Sequence, residues 1–423
     1  MSRFEKDSEA GRFSKENTDS AASESITRAA YQSDSSSFLD DILNSAMGLP
    51  KVTIEGQDNS KSPLPFPGGT GQRDTTLPTE KSPPADNRLP PFEIPSPQQN
   101  APAIDHRIPA ADRAYEMPFE TNGVERGDGA REVYIPEHPA SAQNPAFTFS
   151  GNGNDIGLAF TYFERGYNHG PSAIEEIRNG NDPVPVVHAG DHDNVNIAGW
   201  CSKNGLRAYS SDAAGSDKIF VLRPGESSPS QLTGSYPPGK HFEPSVSPDG
   251  KWVVFEATTG TDDRSTRSTI WKIASDGSQL TQLSNDTDDR QPIFSPDGSQ
   301  IVFQRREGES DRWNLCVMDL VTDESRGERA GRIKQITDSG TDTDASWSSD
   351  GEHIIYSRSP REDTPAQIYA VSRNGGTPSR ITHSQNEDGA PVCSPDGKWI
   401  VFESHSSEKS ASELMVIAAP KFD

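Results

Sequence analysis

Cationic residues are in short supply. The 423-residue chain sets 40 Lys and Arg against 64 Asp and Glu, for a formal net charge of −24. Phosphate backbones are held by clustered Lys and Arg, so nucleic acid is excluded as a partner. An acidic surface suits a cation or a basic segment of another protein instead. Cysteine is equally scarce. Cys201, Cys316 and Cys393 show no C-x-x-C spacing, which excludes a disulfide framework and a cysteine zinc site. They are read as small buried apolar groups. No apolar run approaches the ~18 residues that span a bilayer. The opening MSRFEKDSEAGRF is charged and has no apolar core, so a secretory signal is not expected and a cytoplasmic location is. Enzyme signatures are missing as well: there is no G-x-S-x-G elbow, no P-loop and no H-E-x-x-H. Hydrophobic residues make up only 31% of the chain, too few for a chain that folds throughout.

The apolar deficit is concentrated in residues 1–129. Stretches such as KSPLPFPGGTGQRD and LPPFEIPSPQQNAP lack apolar periodicity and carry repeated proline. Proline blocks helix interiors and central strands, and so few apolar groups do not offset the entropy of ordering. This segment is expected to be a disordered arm. One island within it, residues 37–48, reads as a short helix. Phe38, Leu39, Ile42, Leu43, Ala46 and Met47 share one face, Ser37 is placed to cap it, and Gly48 and Pro50 end it. Such a helix of about three turns is marginal alone. It is either a partner-binding segment or a chance amphipathic stretch. Arg126-Gly127-Asp128 spells an adhesion tripeptide, a triplet that arises readily by chance.

The rest of the chain repeats itself. SPDG occurs at Ser247–Gly250, Ser295–Gly298 and Ser394–Gly397, with SSDG at Ser348–Gly351, SKNG at Ser202–Gly205 and SGNG at Ser150–Gly153. The six glycines recur every 45 to 53 residues or so, a period that suits a four-stranded propeller blade. Each tetrad is a hairpin turn: Pro sets φ, Asp or Asn favours the next position, and Gly supplies positive φ. Asp249, Asp297, Asp350 and Asp396 are therefore turn residues. The last four tetrads are each followed by a β-rich stretch ending in an aromatic: KWVVF, SQIVF, EHIIY and KWIVF. Third strands such as TIWKIA and QIYAVS follow, then short fourth strands ending Gln-Leu-Thr, Gln-Leu-Ser, Gln-Ile-Thr or Arg-Ile-Thr.

These residues resemble the PD40 repeats of TolB-like propellers. The resemblance covers about Pro145 to Pro420 and is sharpest in the last four repeats. It implies an all-β fold, a six-bladed propeller of four-stranded antiparallel blades, occupying residues 130–423. The blades are expected at about 145–195, 196–241, 242–289, 290–343, 344–388 and 389–420. The last repeat lacks a fourth strand, and the β-like segment 131–136, REVYIP, is expected to supply it as the closing strand; an uncovered edge would invite aggregation. The resemblance also implies a propeller that binds other proteins, and a periplasmic or extracellular setting; a monomer is expected.

The loops joining each fourth strand to the next blade are rich in acid. HAGDHDN, SNDTDDR, TDSGTDTD and THSQNEDG place Asp191, Asp193, Asp288, Asp289, Asp342, Asp344, Glu387 and Asp388 around one mouth of the channel. Crowded carboxylates favour a basic peptide or a divalent cation such as Ca²⁺; the bland alternative is that Asp is a turn residue of each repeat. Four histidines, His188, His192, His241 and His383, fall in the same loops, and imidazoles beside carboxylates can hold a transition metal. The sequence thus supports a non-catalytic protein- or peptide-binding scaffold. The alternative is a metal-dependent polysaccharide lyase or hydrolase.

Overall fold

The repeat in the sequence becomes six antiparallel sheets of four strands each. The structure, a computed structural model, describes residues 117–119, 125–150, 155–259, 267–285, 288–323, 327–361, 364–406 and 411–421. The 37–48 segment, with Phe38, Leu39, Ile42, Leu43 and Met47, lies outside the described residues. So do three residues of the first tetrad.

In chain order the strands begin with β1 (Arg131–Tyr134). The first blade is β2 (Ser141–Phe149), β3 (Ile156–Phe163), β4 (Ser172–Ile177) and β5 (Val184–Val187). The second is β6 (Asn194–Val195), β7 (Arg207–Ser211), β8 (Lys218–Leu222) and β9 (Ser230–Gln231). The third is β10 (Lys240–Val246), β11 (Trp252–Thr259), β12 (Arg267–Ala274) and β13 (Thr281–Gln282). The fourth is β14 (Asp289–Phe294), β15 (Gln300–Arg306), β16 (Trp313–Asp323) and β17 (Gly327–Gln335). The fifth is β18 (Asp342–Trp347), β19 (His353–Arg358), β20 (Gln367–Ser372) and β21 (Ser379–Arg380). The sixth is β22 (Glu387–Cys393), β23 (Trp399–His405) and β24 (Ser412–Ala418), with β1 as its outermost strand. Asn144, Ile197, Gln291, Asp344 and Ala390, on or just beyond first strands of five blades, meet around a cavity of about 20 Å³ that marks the axis.

Every second strand is apolar on both faces because it packs between two neighbouring blades. In β11, Val253 and Phe255 pack with Ala208, Ile219 and Val221 of the second blade, whereas Val254 packs with Ile301 and Phe303 of the fourth. That alternation has the period of a pleated strand and explains the unbroken runs VVF, IVF and IIY. Six core clusters result, one at each blade–blade contact. The aromatic ending each run (Phe160, Tyr209, Phe255, Phe303, Tyr356, Phe402) is buried.

The tetrads are turns. Ser247, Ser295, Ser348 and Ser394 each donate from Oγ to the Asp two residues on, at 2.6–2.7 Å, and the closing Gly250 has φ of 72°. The fourth-strand signature is equally concrete. Thr233, Ser284, Thr337 and Thr382 accept through their hydroxyls from the backbone N–H of Ile219, Ile270, Leu315 and Ile368. Gln231, Gln282 and Gln335 donate to the carbonyl two residues on.

Two features differ from the reading of the sequence. Blades start one to four residues earlier than the repeat boundaries suggest, so Asp289, Asp342, Asp344, Glu387 and Asp388 lie in first strands and not in loops. Polar strand ends resemble loops in sequence when their charge is neutralised across the sheet. Asp289 accepts two hydrogen bonds from Arg305 (2.7 and 2.8 Å), and Asp342 two from Arg358 (2.6 and 3.2 Å). The guanidinium groups lie over Phe303 and Tyr356.

The second feature is the triplet Arg126-Gly127-Asp128. In the sixth blade the arginine position of the second strand is Ser404, opposite Asp388. Arg126 comes from outside the repeat and donates to both Asp388 oxygens at 2.9 and 2.8 Å, over the Phe402 ring. Asp128 in turn accepts from Arg126 and from the His383 N–H. Burial works against its ionisation, but the Arg126 bonds hold the Asp128 carboxyl down at about 2. The triplet is a clasp beside the closing strand, with both charges engaged. Removing one partner of a buried pair is costly, so Arg126→Ala should lower stability by about 3 kcal/mol in urea melts. Adding Ser404→Arg, which restores the arginine in cis, should recover most of it.

Candidate functional site

Five first strands break register near the axis, between Gln143 and Ala146, Phe242 and Ser245, Arg290 and Ile293, Thr343 and Ser346, and Gly389 and Val392. Each break holds a residue with positive φ: Asn144, Glu243, Gln291, Asp344 or Ala390. Four of these precede proline, whose missing N–H leaves no ladder donor unpaired at the bulge. The bulges connect polar groups around the axis. Gln291 donates from Nε2 to Glu243 Oε1 at 3.0 Å and accepts at Oε1 from the Asp344 N–H at 3.2 Å. Burial beside Glu256 raises the Glu243 carboxyl well above the ordinary range.

A second set of bonds ties two of the bulges, and the first strand of the second blade, to the preceding blade. The residue after the buried aromatic of a second strand accepts from the next blade's first strand. Glu256 takes the Gln291 N–H (3.1 Å), Glu403 the Asn144 N–H (2.9 Å), and Thr161 Oγ1 the Asn196 N–H (3.2 Å).

A cleft of about 1030 Å³ opens over the fourth, fifth and sixth blades. Its lining includes the acids Asp311, Asp344, Glu387 and Glu403, the arginines Arg312, Arg358 and Arg361, and His405, Tyr369 and Tyr167, the last from the loop after β3. Tyr167 donates from its hydroxyl to Glu403 Oε1 at 3.0 Å and stacks on His405 with centroids 5.2 Å apart. Glu403 is 5% exposed. Burial pushes its carboxyl up to about 7, and the Asp344 and Glu387 charges add to the shift against the bonds from Asn144 and Tyr167. Tyr167 is raised well above the phenol range by burial and by the same three carboxylates. A carboxyl poised near neutrality in a cleft is a functional-site signature.

The acidic residues expected at the mouth separate into three groups. Asp344 and Glu387 line the cleft. Asp288, Asp289, Asp342 and Asp388 are buried and paired with Arg290 and Arg306, Arg305, Arg358 and Arg126 respectively. Asp191 and Asp193 are exposed, at the first-to-second blade junction.

The four histidines do not gather. His188 is exposed, and His192 faces Asp212 at 3.1 Å. His383 is exposed, with its N–H donated to Asp128. His241 is buried, its Nδ1 on Thr233 Oγ1 and Nε2 on the Pro237 carbonyl, both at 2.8 Å. Burial pulls it down to about 4, so it is a neutral structural residue. Among the described residues no three His, Cys, Asp or Glu side chains form a group suited to a metal ion. The cysteines are free and buried or half-buried, and burial pushes Cys316 and Cys393 up to about 12.

Glu403, Tyr167, His405 and Ser357 were not singled out from the sequence. A signal for Glu403 exists: WIVFE puts a charge directly after a fully buried aromatic, as Glu256 does in the third repeat, where the other four repeats have Thr161, Ser210, Gln304 and Ser357. Tyr167 belongs to a loop of the first repeat, and only closure of the ring brings it beside the sixth blade.

No family model matches the chain. A 58-residue stretch is 36% identical to an uncharacterized protein of Agrobacterium fabrum, covering 14% of this chain and 19% of that relative. Among solved structures, TolB from Acinetobacter baumannii is 16% identical with a TM-score of 0.43, over 66% of this chain and 79% of that one. An oligogalacturonate lyase from Vibrio parahaemolyticus is 9% identical with a TM-score of 0.46, over 70% and 96% of the respective chains. TolB-like propellers are thus among the structural neighbours of this six-bladed propeller, and at these identities the likeness concerns the fold alone.

Glu403 supplies a pH test. Its folded-state value lies above its unfolded one, so the unfolded chain loses this proton first as pH rises from about 4.5 to about 7. Stability should fall across that window, by about 3 kcal/mol from this group. Glu403→Gln keeps an acceptor for Asn144 and carries no charge. Its melts should lose that part of the slope and lie above wild type at pH 8.

Proposed function

We propose that the protein is a non-catalytic, protein- or peptide-binding propeller whose cleft takes a basic segment of its partner. The observation behind this reading is that Asp344 and Glu387 line the cleft with Glu403, close enough for their charges to add to the burial that pushes the Glu403 carboxyl up to about 7. A cation placed there relieves the mutual repulsion and draws the proton from Glu403, so part of that repulsion returns as affinity. The size of the cleft suits an extended segment. The buried Asp288, Asp289, Asp342 and Asp388, at or beside strand starts, are already paired with arginines.

The alternative, a metal-dependent lyase or hydrolase working through His188, His192, His241 and His383, needs those imidazoles to converge. They are spread over three blade junctions, and both ring nitrogens of His241 are engaged within the fold.

The test is fluorescence anisotropy with the full-length protein and labelled Lys/Arg-rich peptides, against acidic peptides of equal length. Binding is expected to weaken about tenfold, or ~1.4 kcal/mol, in the Asp344→Asn/Glu387→Gln variant. It should weaken with added salt and tighten from pH 6 to pH 8 as Glu403 ionises. Equal affinity for acidic and basic peptides, or no effect of the double variant, would sink the reading.

A further inference from the structure

The charges that line the cleft are sorted by blade. Glu387 and Glu403 come from the sixth blade, whereas Arg312 belongs to the fourth and Arg358 and Arg361 to the fifth. Asp344, on the first strand of the fifth blade, also lines the small cavity at the axis. The fourth blade adds one acid, Asp311, whose side chain is 92% exposed and faces Arg306 at 3.0 Å.

The three arginines differ in what they have left to donate. Arg358 is engaged, with Nε and Nη2 on Asp342 and its plane over Tyr356 and Tyr369. Arg312 is held but not used up. Its Nε donates to Glu307 at 2.8 Å. A methyl group on Gly340 would stand 2.7, 2.6 and 2.8 Å from its Nε, Cζ and Nη2. Three guanidinium atoms at nearly equal distance mean that the group turns its face to Gly340, and a side chain there would displace it. Its two terminal nitrogens make no hydrogen bond among the described residues. Arg361 is exposed, and its side chain also has no partner among the described residues. Its backbone is fixed, because its N–H donates to Thr364 Oγ1 at 3.0 Å and its carbonyl accepts from the same hydroxyl at 3.0 Å.

One short link joins these two arginines. Arg312 lies on Gly340, and the next residue, Thr341, donates from Oγ1 to the Ser359 carbonyl at 2.6 Å, two residues before Arg361. A guanidinium fixed in place with its terminal donors open is suited to a carboxylate. A second cation nearby strengthens that preference and repels a uniformly basic chain. We propose that Arg312 and Arg361 form a carboxylate subsite, so that the segment bound in the cleft is dipolar. Its basic group lies toward Glu387 and Glu403, and a carboxylate, from an Asp or Glu side chain or from a chain end, lies on the fourth and fifth blades. The inference rests on the reading of the cleft as the site of a basic segment and adds the second half of the motif.

The experiment is fluorescence anisotropy of the full-length protein with labelled, C-terminally amidated peptides that carry Lys at one end and Glu at the other, made in both chain orders. Two controls replace Glu by Gln or Lys by Gln. In one chain order the dipolar peptide is expected to bind about tenfold tighter than its Glu→Gln control. The Arg312→Gln/Arg361→Gln variant should bring the dipolar peptide down to the level of that control and leave the control itself unchanged. Exposed ion pairs contribute little to stability, so the variant's melting temperature should match wild type. A free C-terminus that restores the gain to the Glu→Gln control assigns the carboxylate to a chain end; a free C-terminus without effect assigns it to a side chain, and either result supports the subsite. No gain from Glu in either order, or a gain that survives the double variant, overturns the subsite while the basic-segment reading stands. Binding that is indifferent to the Lys→Gln replacement overturns that reading and the dipolar motif with it.

Discussion

An unpaired strand edge is a liability, and in this protein the last sheet is completed by chain from the start of the propeller, one buried ion pair beside one borrowed strand. β1 adds to the sixth blade by backbone bonds, and Arg126 places its guanidinium on Asp388. The fourth and fifth blades contain the same device entirely within themselves, as Asp289 with Arg305 and Asp342 with Arg358. In the sixth blade the acceptor stays and the donor moves to the entering chain. Without that donor, a fully buried carboxylate would be left with only hydroxyl partners, a costly arrangement in a low-dielectric interior. The interaction therefore couples closure of the ring to the charge balance of the blade that forms one side of the cleft.

The cleft depends on closure in a second way. Glu403 of the sixth blade accepts from Asn144 of the first, and Tyr167 of the first blade donates to the other oxygen of the same carboxyl. A carboxyl pushed up to about 7 is thus held from both sides of the seam. The same contacts bury Glu403, and burial beside Asp344 and Glu387 holds its carboxyl near neutrality. Structural latch and candidate recognition group are one side chain; Glu256 of the third repeat latches in the same way, whereas the other four repeats have Thr, Ser or Gln there.

Much of this was legible in the residues. The tetrads, the two-faced apolar runs and the Gln-Leu-Thr endings each encode a local interaction of fixed geometry, so the blade repeat and the turn role of Asp249, Asp297, Asp350 and Asp396 follow without a structure. The polar strand ends were harder. Asp289, Asp342 and Asp388 look like loop acids until their arginines are seen, because a cross-strand partner sixteen residues away leaves no local mark, and Arg126 is 262 residues from Asp388. The triplet around Arg126 reads as noise for the same reason.

The amino-acid sequence by itself determined the number of blades, the turns between first and second strands, and which side chains face the blade–blade cores. These depend on periods of two and of about 45 to 53 residues that any stretch of chain displays unaided. Tertiary structure alone decided which acids pair with arginines, that the histidines stand apart, and that Tyr167, Asp344, Glu387 and Glu403 line one cleft. Closure brings together groups from the first, fifth and sixth repeats, and the energy of a charge is set by its distances and its burial, which no local pattern records.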